Sequence, residues 1–254
     1  VAFGVREEQL RLLAGGCGPV WRGGDVVLKP VPSAAEAAWV AQTMDVLEVE
    51  GVRVPRPVRS SDGRWVVSGW TATRYLAGRA EPRHDEVVAV SLRLHAATAH
   101  LPRPRFLANR TDGWALADRA AWDAEPPRLD DDRGGVLFRV LAGERRPVRM
   151  REQVVHGDLF GNVLFAGAAE PAVIDFTAYW RPPEWAAAVV VVDALAWGGA
   201  DDNLIHRWAE LAQWPQMLLR ALLFRLAAHA LHPGATAESL AGLQRAAGLV
   251  GHNI

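Results

Sequence analysis

Lysine is almost absent from this sequence. Of 28 Lys and Arg residues in a chain of 254, the one lysine is Lys29. Cysteine is equally scarce: Cys17 is alone, so no intrachain disulfide can form, and the chain suits a reducing compartment, which makes the cytoplasm the expected location. Neither sign of charge dominates. The net charge of −1 gives no electrostatic case for nucleic acid or for a membrane surface as partner. Long apolar runs are missing too. The longest, residues 185–197, is interrupted by Asp193 and is too short to span a bilayer. No signal-peptide pattern is legible after Val1, and there is no internal repeat or low-complexity segment.

Half of the residues are hydrophobic, enough for a sizeable core in one large domain or two lobes. The preference for Arg over Lys fits a GC-rich genome. Lys29 escapes that preference inside the β-like run Val26-Val27-Leu28-Lys29, which singles out a position where a compact ammonium serves better than a planar guanidinium.

In chain order, the apolar pattern Phe3, Val5, Leu10, Leu12, Leu13 predicts a short amphipathic helix over residues 3–14. A glycine-rich bend follows, with Gly16 and Gly18 able to let backbone amides approach a phosphate. Two strands are expected around a turn at residues 23–25, the second ending in Lys29. Ser33 opens a helix running to about Leu47, in which Glu36 has two readings: the acid of a capping box with Ser33, or an ion-pair partner for Lys29. Residues 52–57 are held extended by their prolines. Residues 64–68 and 70–76 form a hairpin around Gly69. Helices are expected over residues 85–100, 114–122 and 135–141, with a solvated acidic loop at Asp130, Asp131 and Asp132. Helices near 203–213, 215–231 and 236–249 complete an α-rich second half. His95, on an apolar face, reads as structural. The helix over 185–197 is apolar all round and so buried, and its Asp193 requires a partner, expected to be the backbone of the loop described next. Most of the 11 Trp residues read as core, with Trp180, Trp185 and Trp208 in the half where an indole can stack a sugar ring.

The chemistry concentrates in residues 154–176. An apolar run delivers His156-Gly157-Asp158, Asn162 follows in the same loop, and a second apolar run presents Asp175-Phe176. Two carboxylates and a carboxamide at strand ends are parts that a metal–nucleotide site needs. This stretch resembles the catalytic and metal-binding segments of the kinase-like phosphotransferases, which include aminoglycoside phosphotransferases and choline kinases. The resemblance runs from about Leu12 to Trp197. It differs at two points: three residues rather than four separate Asp158 from Asn162, with Gly161 as a source of compensating backbone freedom, and Phe160 stands where relatives carry small, polar or proline residues.

The resemblance implies an α+β, two-lobed protein-kinase-like fold: an antiparallel β-sheet lobe with one helix over residues 1–76, and a larger, mainly helical lobe over 77–254. It implies Asp158 as the group that orients the acceptor hydroxyl and takes its proton, with His156 propping the loop. Asn162 and Asp175 become Mg²⁺ ligands. Lys29, paired with Glu36, and the bend with Gly16 and Gly18 hold the phosphates of ATP, with GTP as the alternative, and the strand end Arg74, Tyr75 and Leu76 meets adenine through its backbone. The expected activity is phosphorylation of a hydroxyl on an aminoglycoside, amino sugar, sugar or amino alcohol, without an obligate protein partner. Two other classes stay open: a nucleotide-binding pseudokinase with a regulatory role, and a metal-dependent hydrolase.

Overall fold

The computed structural model describes residues 2–13, 18–122 and 127–252. In chain order the elements are β1 (Leu10–Leu12), β2 (Trp21–Gly23), β3 (Val26–Pro30), α1 (Ala34–Val46), β4 (Val66–Val67) and β5 (Trp70–Arg74). Then come α2 (His84–Thr98), α3 (Gly113–Trp122), α4 (Gly135–Ala142), β6 (Gln153–His156), β7 (Val163–Ala166), β8 (Ala169–Val173) and β9 (Ala178–Arg181). The chain ends with α5 (Pro183–Trp197), α6 (Leu204–Arg207), α7 (Trp214–Leu231) and α8 (Ala237–Gly251). No helix among the described residues is long and apolar enough to cross a membrane.

Two compact units share these elements. The first takes Val1–Ala80 and Asn162–Phe176, and the second takes Glu81–Gly161 and Thr177–Ile254. Of the two segments in the first unit, the later one is the β7–β8 hairpin, anchored by Arg53 pairing with Ala172 and Arg79 pairing with Phe165. Gly78 permits that approach: with φ at +142°, a Cβ there would lie 2.9 Å from the Phe165 carbonyl oxygen.

The first unit is built on an antiparallel sheet ordered β1-β2-β3-β5-β4. Ser68 and Gly69, at φ +49° and +77°, form a two-residue turn between β4 and β5, whose twist suits the hairpin. Phe3, Val5, Val26 and Ala72 make its small core, with Leu28, Val67 and Trp70 packed around them. The helix predicted over residues 3–14 does not form. One short 3-10 turn, Glu7–Gln9, leads into β1, which pairs with β2 in the register Leu10↔Gly23 and Leu12↔Trp21. Leu10 and Leu12, two positions apart, share a face in a strand and not in a helix, and pairing with β2 fixes the strand.

The second unit is helical around one ribbon, β6 paired with β9. Its centre is α5, in which every residue from Trp185 to Ala196 is buried, and α7, buried from Gln216 to Ala230. Apart from Asp193, the buried stretch of α5 is apolar and has no solvent face to pattern, because α2, α7, α8 and β6 surround it. Trp185, Tyr179 and Phe224 pack edge to face, with centroids 5.3 to 5.6 Å apart. Trp185 is therefore core rather than a sugar platform.

Candidate active site

Asp158 stands in the loop that follows β6, within the second unit, and its surroundings are closely determined. His156, fully buried, accepts through Nδ1 from the amides of Asp158 (3.2 Å) and Thr177 (3.4 Å), so its proton belongs on Nε2. With Nδ1 committed to two amides, His156 shapes the loop and is not a base. Its own amide donates to Nε2 of buried His95 at 2.9 Å, which leaves Nδ1 of His95 as donor to Ser91 Oγ at 3.3 Å. His95 stays neutral: burial, with the neighbouring His156, pushes its pKa down to about 3. It also accepts on its carbonyl from the Gln153 amide. The structural reading of both histidines matches this network.

Gly157 is fixed by packing. A Cβ there would sit 2.4 Å from the Tyr179 ring and 3.2 Å from Trp185, so no side chain fits between His156 and Asp158. Farther along the loop, Phe160 stacks on His84 with centroids 6.2 Å apart. Gly161 adopts φ +81° with open space around it, the left-handed turn that the shortened loop uses before Asn162.

The carboxylate of Asp158 is 42% exposed and accepts from Arg225 Nη2 at 2.7 Å. Arg225, on α7, is almost wholly buried and grips Asp193 through both Nε (2.7 Å) and Nη2. Asp193 therefore takes Arg225 as its partner instead of the loop backbone expected from the sequence. A guanidinium supplies two charge-assisted donors to a buried carboxylate, whereas a loop amide supplies one neutral donor. Burial pushes Asp193 up to about 6, with Arg225 opposing and the Asp158 charge adding to the rise. One cation thus bridges two carboxylates, the buried Asp193 and the partly exposed Asp158. Sequence reasoning missed Arg225. The signal was there: an Arg inside the apolar run of α7 has the same need for a partner as the Asp inside α5.

The first unit holds the remaining candidates. Lys29 lies on β3 opposite Thr71, and its ammonium forms an ion pair with the Asp175 carboxylate, both side chains being more than a third exposed. Asp175 has φ +54°, a left-handed conformation uncommon for a residue with a side chain and often found at functional positions. Asn162 is brought beside it at the mouth of the β7–β8 hairpin, where the Ile174 amide donates to the Asn162 carbonyl at 2.9 Å. Asn162 and Asp175 are thus close along the paired backbone, and each carries a hard oxygen donor. No group of three or more His, Cys, Asp or Glu is gathered among the described residues. The donor set fits Mg²⁺, which takes few protein ligands and completes its shell with water and phosphate oxygens. The ion pair with Lys29 already demonstrates that Asp175 accepts a cation.

Ser33 Oγ caps α1 by accepting from the Glu36 amide at 3.3 Å, and the ammonium of Lys29 is turned to Asp175. The Leu13 amide donates to the Val20 carbonyl at 2.8 Å. Gly18 has φ +116°, and nothing lies within 4 Å of where a Cβ would be. Gly16 lies outside the described residues. At the end of β5, the Arg74 amide donates to the Arg56 carbonyl and the Tyr75 amide to the Asp25 carbonyl, both at 2.7 Å. The Tyr75 ring is covered by the guanidinium of Arg22 at 3.4 Å. Two of the three backbone donors expected to face adenine are therefore used within the fold.

Comparison with known proteins bears on the fold and the family. Over 96% of the chain the fold superposes on a thermostable mutant of aminoglycoside phosphotransferase APH(4)-Ia, with TM-score 0.60, 17% identity and 94% of that chain covered. It superposes equally, with TM-score 0.60, on spectinomycin phosphotransferase APH(9)-Ia in complex with ADP and spectinomycin, at 9% identity over 98% of this chain and 94% of that one. A choline/ethanolamine kinase family protein from Mesorhizobium loti gives TM-score 0.57 at 18% identity, covering 94% of this chain and 87% of that one. No curated protein matches in sequence. At these identities the likeness shows the fold, which is α+β and kinase-like. The family itself is shown by the sequence: the model of the phosphotransferase enzyme family matches residues 9–232, and the chain belongs to that family.

Proposed function

We propose that the protein transfers the γ-phosphoryl group of ATP to a hydroxyl of a small molecule. The observation that carries this reading is the Asp158 carboxylate, held by Arg225 and 42% exposed. Phosphoryl transfer asks little covalent chemistry of a protein and much positioning, and a fixed, partly exposed carboxylate is suited to aligning a hydroxyl. Asp158 orients that hydroxyl and accepts its proton late in the transfer. Lys29, released from Asp175, binds phosphate oxygens, and the bend containing Gly16 and Gly18 offers them backbone amides. Asn162 and Asp175 are the residues to hold Mg²⁺, which when bound supplies charge neutralisation at the phosphates. Glu36 on α1 is the carboxylate to reposition the Lys29 ammonium. At the end of β5, with the Arg74 and Tyr75 amides occupied, Leu76 carries the backbone donor to adenine.

The acceptor class rests on the relatives. One structure of APH(4)-Ia is a ternary complex with AMP-PNP and hygromycin B, and APH(9)-Ia is seen with spectinomycin. Aminoglycosides, amino sugars, sugars and amino alcohols form the panel to test. The first measurement is thermal unfolding with ATP or GTP, each with and without Mg²⁺. A ligand present at a hundredfold excess over its Kd stabilises the fold by about 2.7 kcal/mol. No protection by either nucleotide would sink the proposal. Protection without transfer to any hydroxyl of the panel would favour the regulatory alternative, to which the three-residue Asp158–Asn162 spacing lends its one argument.

A further inference from the structure

A second cluster of charge lies in the helical unit, at the far end of the β6–β9 ribbon from Asp158. Asp158 follows the end where His156 pairs with Ala178, whereas this cluster surrounds the end where Gln153 pairs with Arg181. Four residues of strand, roughly 13 Å, separate the two ends. A cavity of about 580 Å³ opens there, lined by Trp122, Arg149, Met150, Glu152, Trp180 and Arg220, among others.

Arg220 is the unusual member. It is only 5% exposed, yet its Nη1 and Nη2 donate to neutral groups, the Gln216 side-chain oxygen at 2.7 Å and the Arg146 carbonyl at 2.9 Å. Its Nε has no hydrogen-bond partner, and neither does Nε1 of the adjacent Trp122. No carboxylate among the described residues forms an ion pair with Arg220. The neighbouring guanidinium of Arg181 differs: it is taken up by Asp118 through two bonds of 2.8 Å and by Glu152 at 3.2 Å. Both guanidiniums lie against the Trp122 ring, at 4.8 and 4.9 Å from its centroid. Burial, together with the charges of Arg145 and Arg181, pushes the Arg220 pKa down to about 10. Among the described residues, a buried cation without a counter-ion and two N–H donors without acceptors are costly features for a fold to retain.

We propose that this cavity is a binding site for a small oxyanion, a phosphate or the phosphoryl group of a phosphorylated metabolite, with Arg220 and Trp122 as its floor and exposed Arg149 at its mouth. An oxyanion supplies what the floor lacks: negative charge, and acceptors for Nε and Nε1. Both nitrogens are shielded from water, so the anion reaches them through a small shift of the wall, in which Met150 is the adaptable member. The Glu152 carboxylate also lines the cavity, and its charge is directed to Arg181.

The test is a titration with inorganic phosphate at constant ionic strength, read by calorimetry and by thermal unfolding. The wild-type chain should bind it saturably. Trp122→Phe keeps the ring and removes one donor, and should weaken binding about tenfold. Arg149→Gln, at the exposed mouth, should weaken it as well, and decides the matter alone if Trp122→Phe does not fold. Lys29→Gln should leave it unchanged, which separates this site from the nucleotide phosphates. Glucose 6-phosphate binding more tightly than phosphate would identify a phosphorylated metabolite as the ligand, and equal affinity would identify free phosphate. No saturable binding by the wild type, or binding indifferent to both Trp122→Phe and Arg149→Gln, would overturn the proposal.

Discussion

The surroundings of Asp158 and those of Asp175 are opposite solutions to placing a carboxylate. Asp158 is held by buried partners: Arg225 grips it, Asp193 grips Arg225, and His156, itself set by His95, receives its amide. Asp175 is exposed, sits at a left-handed φ, and forms an ion pair with Lys29, whose side chain is more than a third exposed. The group proposed to align the acceptor is thus built into the core, and the groups proposed to handle nucleotide and metal are left adjustable. A pre-organised carboxylate needs no reorganisation during transfer, whereas Lys29 and Asp175 have to part before phosphate and metal can bind.

The strongest way to break the comparison is to remove the built-in carboxylate. Asp158→Ala should lower kcat about a thousandfold or more while leaving nucleotide protection in thermal unfolding intact. Retention of more than a tenth of the activity would remove Asp158 from its role. Next comes its support. Arg225→Met leaves Asp193 buried without a counter-ion and should destabilise the fold by about 3–5 kcal/mol in urea unfolding. The double variant Arg225→Met with Asp193→Leu should recover most of that loss, because the unpaired charge has gone. If the single variant costs under 1 kcal/mol, the buried network does not hold the loop.

Much of this was legible in the sequence because it is local. The Ser68-Gly69 turn, the helix after Ser33, the fully apolar α5 and the His-Gly-Asp loop each carry their signal within a few residues. The features that were not legible are decided by distant partners. Leu10–Leu12 is a strand because β2 lies beside it. Asp193 was read as a buried acid in need of a partner, but the partner is 32 positions away on α7. The β7–β8 hairpin joins the first unit through Arg53 and Arg79, and no composition shift at residues 162–176 announces it. Arg220 and Trp122 carry no sequence signal of their orphaned donors, since an unsatisfied group exists only once the fold has closed around it.

A pH dependence sharpens the contrast from the buried side. His95 has its pKa lowered to about 3, against about 6.5 when unfolded. Between those values the unfolded chain binds a proton that the folded chain refuses, so this contribution to stability is present above pH 6.5 and is lost as the pH falls. At pH 5 the loss amounts to about 2 kcal/mol. Asp193 works in the opposite direction, since a carboxyl raised to about 6 favours the folded state as the pH falls through that value. Comparing the wild type with His95→Gln isolates the histidine. The variant should be less stable at pH 7.5 but lose about 2 kcal/mol less than the wild type between pH 7.5 and 5. Parallel losses in the two proteins would show that His95 is not held neutral.

The smallest effect on stability belongs to the exposed half, and it completes the comparison. The Lys29–Asp175 pair is more than a third exposed at both ends, so solvent screens it and its net worth is about 0–1 kcal/mol. Lys29→Met should therefore lower the melting temperature by less than about 4 °C. The same substitution should raise KM for ATP about tenfold, because the ammonium is lost from the phosphates, where charge-assisted contacts count for more than in an exposed pair. The two readouts separate the roles of the lysine. A large fall in melting temperature with unchanged KM would mean that Lys29 is a structural tie between β3 and Asp175. A small fall with a raised KM means that the pair is a resting contact, which the fold releases when the nucleotide arrives.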